Sequence, residues 1–325
     1  MPKEAVFIHL GFPRSGSTSL QRHLFDKHSG ILNLGKPYSD KSLEELYAHL
    51  YKLFRTEGKY QIENQDIIET IKSGSGKSLF ISDEAVLFNV FNNFSCVVDR
   101  FLAAFDNCKF LIIIRNQIDI IKSYYTYSGH VPKPNLGNYP SIPFDKWLSW
   151  SLDNFYGSFL YHLMYFSHTV KLLHDKGGRE NVKVLLFEDY IKDTAKFSHQ
   201  FSSFLEIDDR ETLSLLEQSK VESKSYNLSP LGKRLSKSTL ATKAVETLPF
   251  LKNLKRVVAN RVDFSVAQEI VPKLFSGDNR FLDSELNLDL KRYSYPLQNE
   301  YGPVEVRINT KKPMKTELYC NGTRI

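Results

Sequence analysis

Residues 5–20 read Ala5-Val6-Phe7-Ile8-His9-Leu10-Gly11-Phe12-Pro13-Arg14-Ser15-Gly16-Ser17-Thr18-Ser19-Leu20. The apolar run at 5–10 predicts a buried strand, and the spacing of apolar residues over 17–28 predicts a helix. A turn rich in glycine and hydroxyl side chains joins the two. A strand, a loop and a helix in this order suit the binding of phosphate, because backbone N–H groups of the loop and the helix N-terminus converge on one anion.

The loop from Gly11 to Thr18 matches the P-loop pattern G-x-x-x-x-G-K-[ST] except that Ser17 stands at the lysine position. In nucleoside triphosphatases that lysine reaches the β- and γ-phosphates, and the next hydroxyl holds Mg²⁺. Arg14 supplies a positive charge elsewhere in the loop, and its guanidinium fork fits phosphate or sulfate oxygens. The pattern therefore favours an anionic donor that needs no metal. A serine-rich turn with a surface arginine is the structural alternative.

A second predicted strand, 109–114, is followed by Arg115, and Ser123 comes eight residues later on a predicted helix over 116–128. Open α/β sheets bind ligands at the carboxyl ends of their strands, so this arginine and hydroxyl suit a second phosphate. Ser123 faces the same side only if the helix starts near Asn116. The alternative is a surface charge at the end of a strand and an unrelated hydroxyl on a helix face.

The segment from Pro13 to Leu20 resembles the 5′-phosphosulfate loop of the sulfotransferases, which use 3′-phosphoadenosine 5′-phosphosulfate (PAPS). Arg115 and Ser123 match the second signature of that family, and residues 182–190 are similar to its late strand and acidic turn. The three segments occur in the family's order over residues 5–205. The resemblance implies the following cofactor-binding residues: Arg14, Ser15, Gly16, Ser17, Thr18, Arg115 and Ser123.

The same resemblance implies an enzyme that moves a sulfuryl group from PAPS to a hydroxyl or amine of a small-molecule or glycan acceptor, without a metal. Many members have lysine where this chain has Arg14, and arginine occurs mainly in carbohydrate-type and bacterial members. This favours a carbohydrate acceptor. Two other functions stay open: a kinase-like P-loop phosphotransferase that uses ATP and Mg²⁺, and a nucleotide-binding module without turnover.

The acceptor needs a general base, and Glu84 is our candidate for a catalytic role beside Arg14. Glu84 follows the short predicted strand at 78–82, so it should emerge at the same sheet edge as the loop. Glutamate is the base in several carbohydrate-type sulfotransferases, and histidine serves in the cytosolic small-molecule type. Asp83 and His130 are alternatives, and Glu84 is alternatively a carboxylate that stabilises a helix N-terminus. His9 is predicted to be a packed core residue.

Composition sets further bounds. The chain has 325 residues, of which 42% are hydrophobic and 25% charged, as in ordinary globular proteins. The net charge of +6 suits an anionic cofactor but comes without the basic runs of a nucleic-acid binder. The three cysteines, Cys96, Cys108 and Cys320, form no metal or disulfide pattern. The first strand starts so close to Met1 that we expect no signal peptide or transmembrane segment, and hence a cytoplasmic protein or a trimmed form of an anchored one.

Strands that alternate with helices predict an α/β fold with a P-loop-type central parallel sheet flanked by helices. The predicted strands are 5–10, 78–82, 109–114 and 182–187, and a single long helix is predicted over 144–176. We expect one sulfotransferase domain over 1–300 and a small β extension over 301–325. The polar, basic stretch 221–237 is either a loop over the 3′-phosphate or a solvated linker.

Overall fold

The structure is a computed structural model that describes residues 5–12, 14–41, 44–55, 76–83, 94–105, 107–125, 143–153, 164–219, 263–298, 304–308, 316–320 and 323–324. Its strands are β1 (Val6–Gly11), β2 (Ile31–Asn33), β3 (Ser78–Ser82), β4 (Cys108–Ile114), β5 (Val182–Leu186), β6 (Val304–Ile308), β7 (Thr316–Cys320) and β8 (Thr323–Arg324). Its helices are α1 (Ser17–Leu20), α2 (Glu44–Arg55), α3 (Phe94–Ala104), α4 (Gln117–Tyr124), α5 (Phe144–Asp153), α6 (Phe166–Gly177), α7 (Phe187–Lys192), α8 (Thr194–Leu205), α9 (Asp209–Ser219) and α10 (Ser265–Leu286).

Five strands form a parallel sheet in the order β2-β3-β1-β4-β5. Gly11 at the end of β1 lies opposite Ile113 of β4, and Ile114 lies opposite Leu186 of β5. Because the strands are parallel, their carboxyl ends share one edge of the sheet. The loop after Gly11, the residue Arg115 and the start of α7 therefore meet at this edge. The predicted α/β class, with a central parallel sheet and flanking helices, is confirmed.

Apolar side chains on both faces of β1 and β4 explain why these strands lie in the middle of the sheet, since parallel sheets are covered on both sides. Every residue of β1 is buried, and so are the last five of β4. On one face the strands pack against the helical segment after the loop and against α8 and α9. The buried core there consists of Phe7, Leu20, Leu24, Phe25, Ile31, Phe80, Leu111, Ile113, Leu185, Tyr190, Phe197, Phe201, Leu205 and Leu216.

The sequence pattern missed the edge strand β2, whose three residues are too few to show a period. It pairs with β3 in parallel, and the pairing continues beyond the strand, because the N–H of Lys36 donates to the carbonyl of Ser82 at 2.9 Å. A Cβ on Gly35 would lie 2.3 Å from the Ser82 nitrogen, so this close approach requires glycine. The unpredicted strand thus brings residues 35–38 to the carboxyl end of β3.

The prediction of one helix over 144–176 was wrong. The helix that starts at Phe144 is described as far as Asp153, and the non-helical Tyr165 (φ −87°, ψ 76°) precedes α6, which begins at Phe166. The Asp278 carboxylate accepts hydrogen bonds from the N–H groups of Phe166 and Ser167, each at 3.1 Å, and so caps the start of α6. Burial raises the pKa of Asp278 to about 6, against the effect of these bonds. A cap supplied from a helix over 100 residues away leaves no local sequence signal.

Two smaller differences also occur at the ends of elements. The predicted helix 17–28 is an α-helical turn, Ser17–Leu20, followed by a π-helical turn, Gln21–Phe25. The predicted strand 182–187 ends at Leu186, and the expected acidic turn is the short helix α7.

Contacts within the chain divide it into two compact units. The first comprises Met1–Asn116, Tyr161–Glu222 and Phe275–Leu297, and it contains the parallel sheet. The second comprises Gln117–Leu160, Ser223–Leu274 and Gln298–Ile325, and it contains the antiparallel strands β6, β7 and β8, where β structure was predicted. The domain boundary near residue 300 stays a prediction. None of the helices in the described part of the chain has the length and apolar character that a membrane span requires.

Candidate functional site

Glycine is required at both ends of the loop between β1 and α1. A Cβ on Gly11 would lie 2.2 Å from the Oγ of Ser17, a distance shorter than real Cβ atoms show. Gly16 has a left-handed backbone (φ 81°), and a Cβ there would lie 2.6 Å from the ring of Phe187. The loop can therefore fold back over the end of β1 only with these two residues in place.

The two loop residues on each side of Gly16 differ in exposure. Arg14 has a left-handed backbone (φ 66°) and an exposed side chain, and Thr18 is also exposed. The hydroxyls of Ser15 and Ser17 are buried and have no hydrogen-bond partner among the described residues. A buried hydroxyl without a partner is costly, so the Ser15 side chain fits a ligand that supplies an acceptor oxygen to the loop. Ser17, at the P-loop lysine position, is turned towards Gly11 beneath the loop.

Arg115 reaches this loop from the end of β4. Its Nη1 donates a hydrogen bond to the carbonyl oxygen of Arg14 at 2.7 Å. Its guanidinium carbon lies 4.7 Å from the centroid of the Phe187 ring. A guanidinium has five N–H donors, so this bond engages one part of the group. The two arginines singled out in the sequence are thus brought together.

The helix α7 ties these parts to one another. The buried Glu188 accepts a hydrogen bond from the N–H of Asn116 at 2.9 Å and another from the hydroxyl of Tyr295 at 2.9 Å. Burial raises the pKa of Glu188, although both hydrogen bonds act in the opposite direction. The hydroxyl oxygens of Tyr190 and Ser19 lie 3.0 Å apart, so α7 also contacts the helical segment after the loop.

At the end of β3, Asp83 is buried, and both of its carboxylate oxygens are engaged. Lys36 Nζ lies 3.1 Å from Oδ1, and the hydroxyl of Tyr38 donates to Oδ2 at 2.6 Å. These two residues follow the unpredicted strand β2. Glu84 and His130, the other candidate bases, lie outside the described residues.

His9 is a core residue, as predicted. Its ring packs between those of Phe25 and Phe80, at centroid distances of 5.2 and 6.2 Å, and its Nδ1 lies 2.8 Å from the Oγ of Ser82. Burial lowers the pKa of His9 to about 3. The imidazole is therefore neutral at pH 7 and does not carry charge to the loop.

Ser123 lies half-buried on α4, which begins at Gln117, in the second unit. Its role stays a prediction. The basic stretch 221–237 lies outside the described residues. In the part of the chain that the structure describes, no group of three or more His, Cys, Asp or Glu side chains is arranged to hold a metal ion.

Sequence reasoning missed Lys36, Tyr38 and the contacts of Phe187. The segment Gly35–Tyr38 does carry a signal, because a glycine and a proline surround a lysine there, but no pattern connects it to Asp83. Phe187 lies in the third matched segment, where the acidic residues drew attention and the aromatic one did not.

The loop, the neighbouring arginine and their common sheet edge agree with a comparison against protein families. The family model for the sulfotransferase domain matches residues 4–246, about three quarters of the chain. The chain belongs to the sulfotransferase family. No match is found among curated proteins.

Among solved structures, this sulfotransferase is similar to one from Alicyclobacillus acidocaldarius, with 17% identity and a TM-score of 0.49, over 88% of this chain and 97% of that one. It is also similar to mouse sulfotransferase SULT7A1 complexed with PAP, with 18% identity and a TM-score of 0.35, over 70% and 68%. Sulfotransferase STF9 from Mycobacterium avium matches with 11% identity and a TM-score of 0.39, over 77% and 78%. Membership of the family therefore rests on the family model.

We predict that Gly16→Ala lowers the affinity of the sulfotransferase for 3′,5′-adenosine diphosphate at least ~10-fold, because the methyl group displaces Phe187 and strains a left-handed backbone. Gly76→Ala is the matched control, since Gly76 is also left-handed (φ 57°) but an added methyl meets no described atom within 4 Å. Calorimetric titration measures the affinities, and urea unfolding measures the stability of each variant. Equal affinity in Gly16→Ala and the wild type would contradict the geometry of the loop.

Proposed function

We propose that this sulfotransferase transfers a sulfuryl group from PAPS to a hydroxyl or amine of a small-molecule or glycan acceptor. The observation that carries the proposal is the hydrogen bond from Arg115 to the backbone of Arg14. It brings a cationic residue of the loop after β1 and a cationic residue at the end of β4 to one sheet edge, which suits a donor with anionic groups at two ends. Membership of the family supports the same reading.

Each residue of the site has a proposed role. The 5′-phosphosulfate is held by the N–H groups of the loop, to which Ser17 contributes only its backbone because its side chain is buried against Gly11. Arg14 covers the transferred group, since a guanidinium matches the oxygens of sulfate. The donor-binding residues are Arg14, Ser15, Gly16, Ser17 and Thr18 for the phosphosulfate, and Arg115 and Ser123 for the 3′-phosphate.

Sulfuryl transfer is an in-line displacement in which positioning and electrostatics dominate. The acceptor oxygen or nitrogen forms a bond to sulfur while the bond from sulfur to the 5′-phosphate oxygen breaks. Negative charge accumulates on that departing oxygen, and 3′,5′-adenosine diphosphate leaves. Arg14 and the loop N–H groups stabilise this charge, which is the task that lysine and Mg²⁺ perform in a P-loop nucleoside triphosphatase.

The acceptor proton goes to a carboxylate at the end of β3, for which we propose Glu84. The surroundings of Asp83 support this choice, because Lys36 and Tyr38 already occupy its two oxygens. A base must reach the proton that it removes. His130 is the remaining alternative, and a cytoplasmic location stays a prediction.

The donor is tested by calorimetric titration with 3′,5′-adenosine diphosphate and, separately, with ATP and Mg²⁺. We expect metal-independent binding of the diphosphate. Arg115→Ala should weaken it at least ~10-fold, because a hydrogen bond to a charged group contributes about 1.5–3 kcal/mol. Binding of ATP with Mg²⁺ alone would overturn the proposal in favour of a phosphotransferase.

The base is tested by turnover of PAPS with an acceptor found by screening. We expect Glu84→Gln to lower kcat about 100-fold or more and to remove the acidic limb of the pH–rate profile, while cofactor affinity stays unchanged. Asp83→Asn is the matched control. It should lower the melting temperature, because it breaks the ion pair with Lys36, and it should have little effect on kcat. If Asp83→Asn loses turnover and Glu84→Gln keeps it, the base is Asp83 and not Glu84. No turnover with any acceptor would indicate a binding module.

A further inference from the structure

The ring of Phe187 lies where the loop and Arg115 meet. It is the first residue of α7, directly after β5. On one side the guanidinium carbon of Arg115 lies 4.7 Å from the ring centroid. On another side the ring edge fills the space where a Cβ of Gly16 would stand, at 2.6 Å.

We propose that Phe187 is a positioning residue that acts through Arg115 and couples the 3′-phosphate end of the donor site to the phosphosulfate loop. The inference rests on the proposed function, because it assigns Arg115 to the 3′-phosphate.

Two of the contacts that Arg115 makes restrict the orientation of its guanidinium. The ring of Phe187 attracts the cation against its face, and the carbonyl oxygen of Arg14 accepts one N–H at 2.7 Å. Arginine is a flexible side chain whose planar fork binds phosphate well only when its orientation is set. Holding it before the donor arrives lowers the entropic cost of binding.

The exposure of Phe187 argues for this role over simple packing. Phe197 and Phe201, in the same core cluster, are fully buried among apolar side chains. Phe187 is only partly buried at the edge of that cluster, and its ring contacts a charged group and the loop backbone. The ring of Tyr190 packs edge-to-face against the ring of Phe187, with centroids 5.9 Å apart.

The role predicts an effect on one part of the donor only. Calorimetry would compare 3′,5′-adenosine diphosphate with 5′-adenosine monophosphate, so that the ratio of the two dissociation constants gives the gain from the 3′-phosphate. The proteins are the wild type, Phe187→Leu, Phe187→Tyr, Phe204→Leu, Arg115→Ala and the double variant of Arg115→Ala with Phe187→Leu. Phe204→Leu is the matched control, because Phe204 is also partly buried against the same cluster but packs edge-on against Phe7 at 5.6 Å.

We expect Phe187→Leu to reduce the gain from the 3′-phosphate about fivefold, as loss of a cation–π contact implies. Phe187→Tyr should keep the gain, and so should Phe204→Leu. The double variant should show the same gain as Arg115→Ala, because Phe187 has no effect on this end of the donor without Arg115.

Three results would count against the inference. If the gain from the 3′-phosphate is unchanged in Phe187→Leu but reduced in Arg115→Ala, the coupling is overturned and the proposed function stands. Equal reductions in Phe187→Leu and Phe204→Leu would show general loss of packing, and also overturn it. An unchanged gain in Arg115→Ala would overturn the assignment of the 3′-phosphate itself, and the proposed function with it.

Discussion

The hydrogen bond from the Arg115 guanidinium to the Arg14 carbonyl oxygen is the contact on which the proposed donor site depends. It exists because β1 and β4 are parallel neighbours with Gly11 opposite Ile113, which brings residues 14 and 115 to the same edge of the sheet. It accompanies the left-handed backbone of Arg14, a conformation that residues other than glycine, asparagine and aspartate rarely adopt. The bond therefore offsets a local strain and fixes the loop at once.

The short helix α7 supports that contact with side chains that are themselves held firmly. Asp189 is buried and accepts a hydrogen bond from the hydroxyl of Tyr293, and Lys196 Nζ lies 3.0 Å from its other oxygen. Glu188 is buried next to it and has two donors of its own. Buried carboxylates are costly unless they are paired in this way, and removal of one partner leaves an uncompensated charge. The acidic pair thus anchors α7 and, through it, the ring of Phe187.

Local patterns in the sequence predicted the strands that carry the site, because apolar runs followed by glycine or arginine mark buried strands and their carboxyl ends. They also predicted the loop, because two glycines and several hydroxyl side chains follow the first strand in a pattern typical of phosphate-binding turns. Three features were out of reach for physical reasons. β2 is too short to show a period, Asp278 caps α6 from over 100 residues away, and Lys36 meets Asp83 only because β2 pairs with β3. Interactions between distant segments leave no trace in the spacing of residues.

The absence of the P-loop lysine is explained by where residue 17 lies. Ser17 is buried against Gly11 beneath the loop, and the positive charge is supplied from Arg14 and from the neighbouring strand. This division of charge suits a donor with two anionic ends and no metal. The most direct measurement is a crystal structure with 3′,5′-adenosine diphosphate. We expect the 5′-phosphate on the N–H groups of residues 15–18 and the 3′-phosphate on Arg115. A ligand bound in the reverse direction, or away from Arg115, would contradict it.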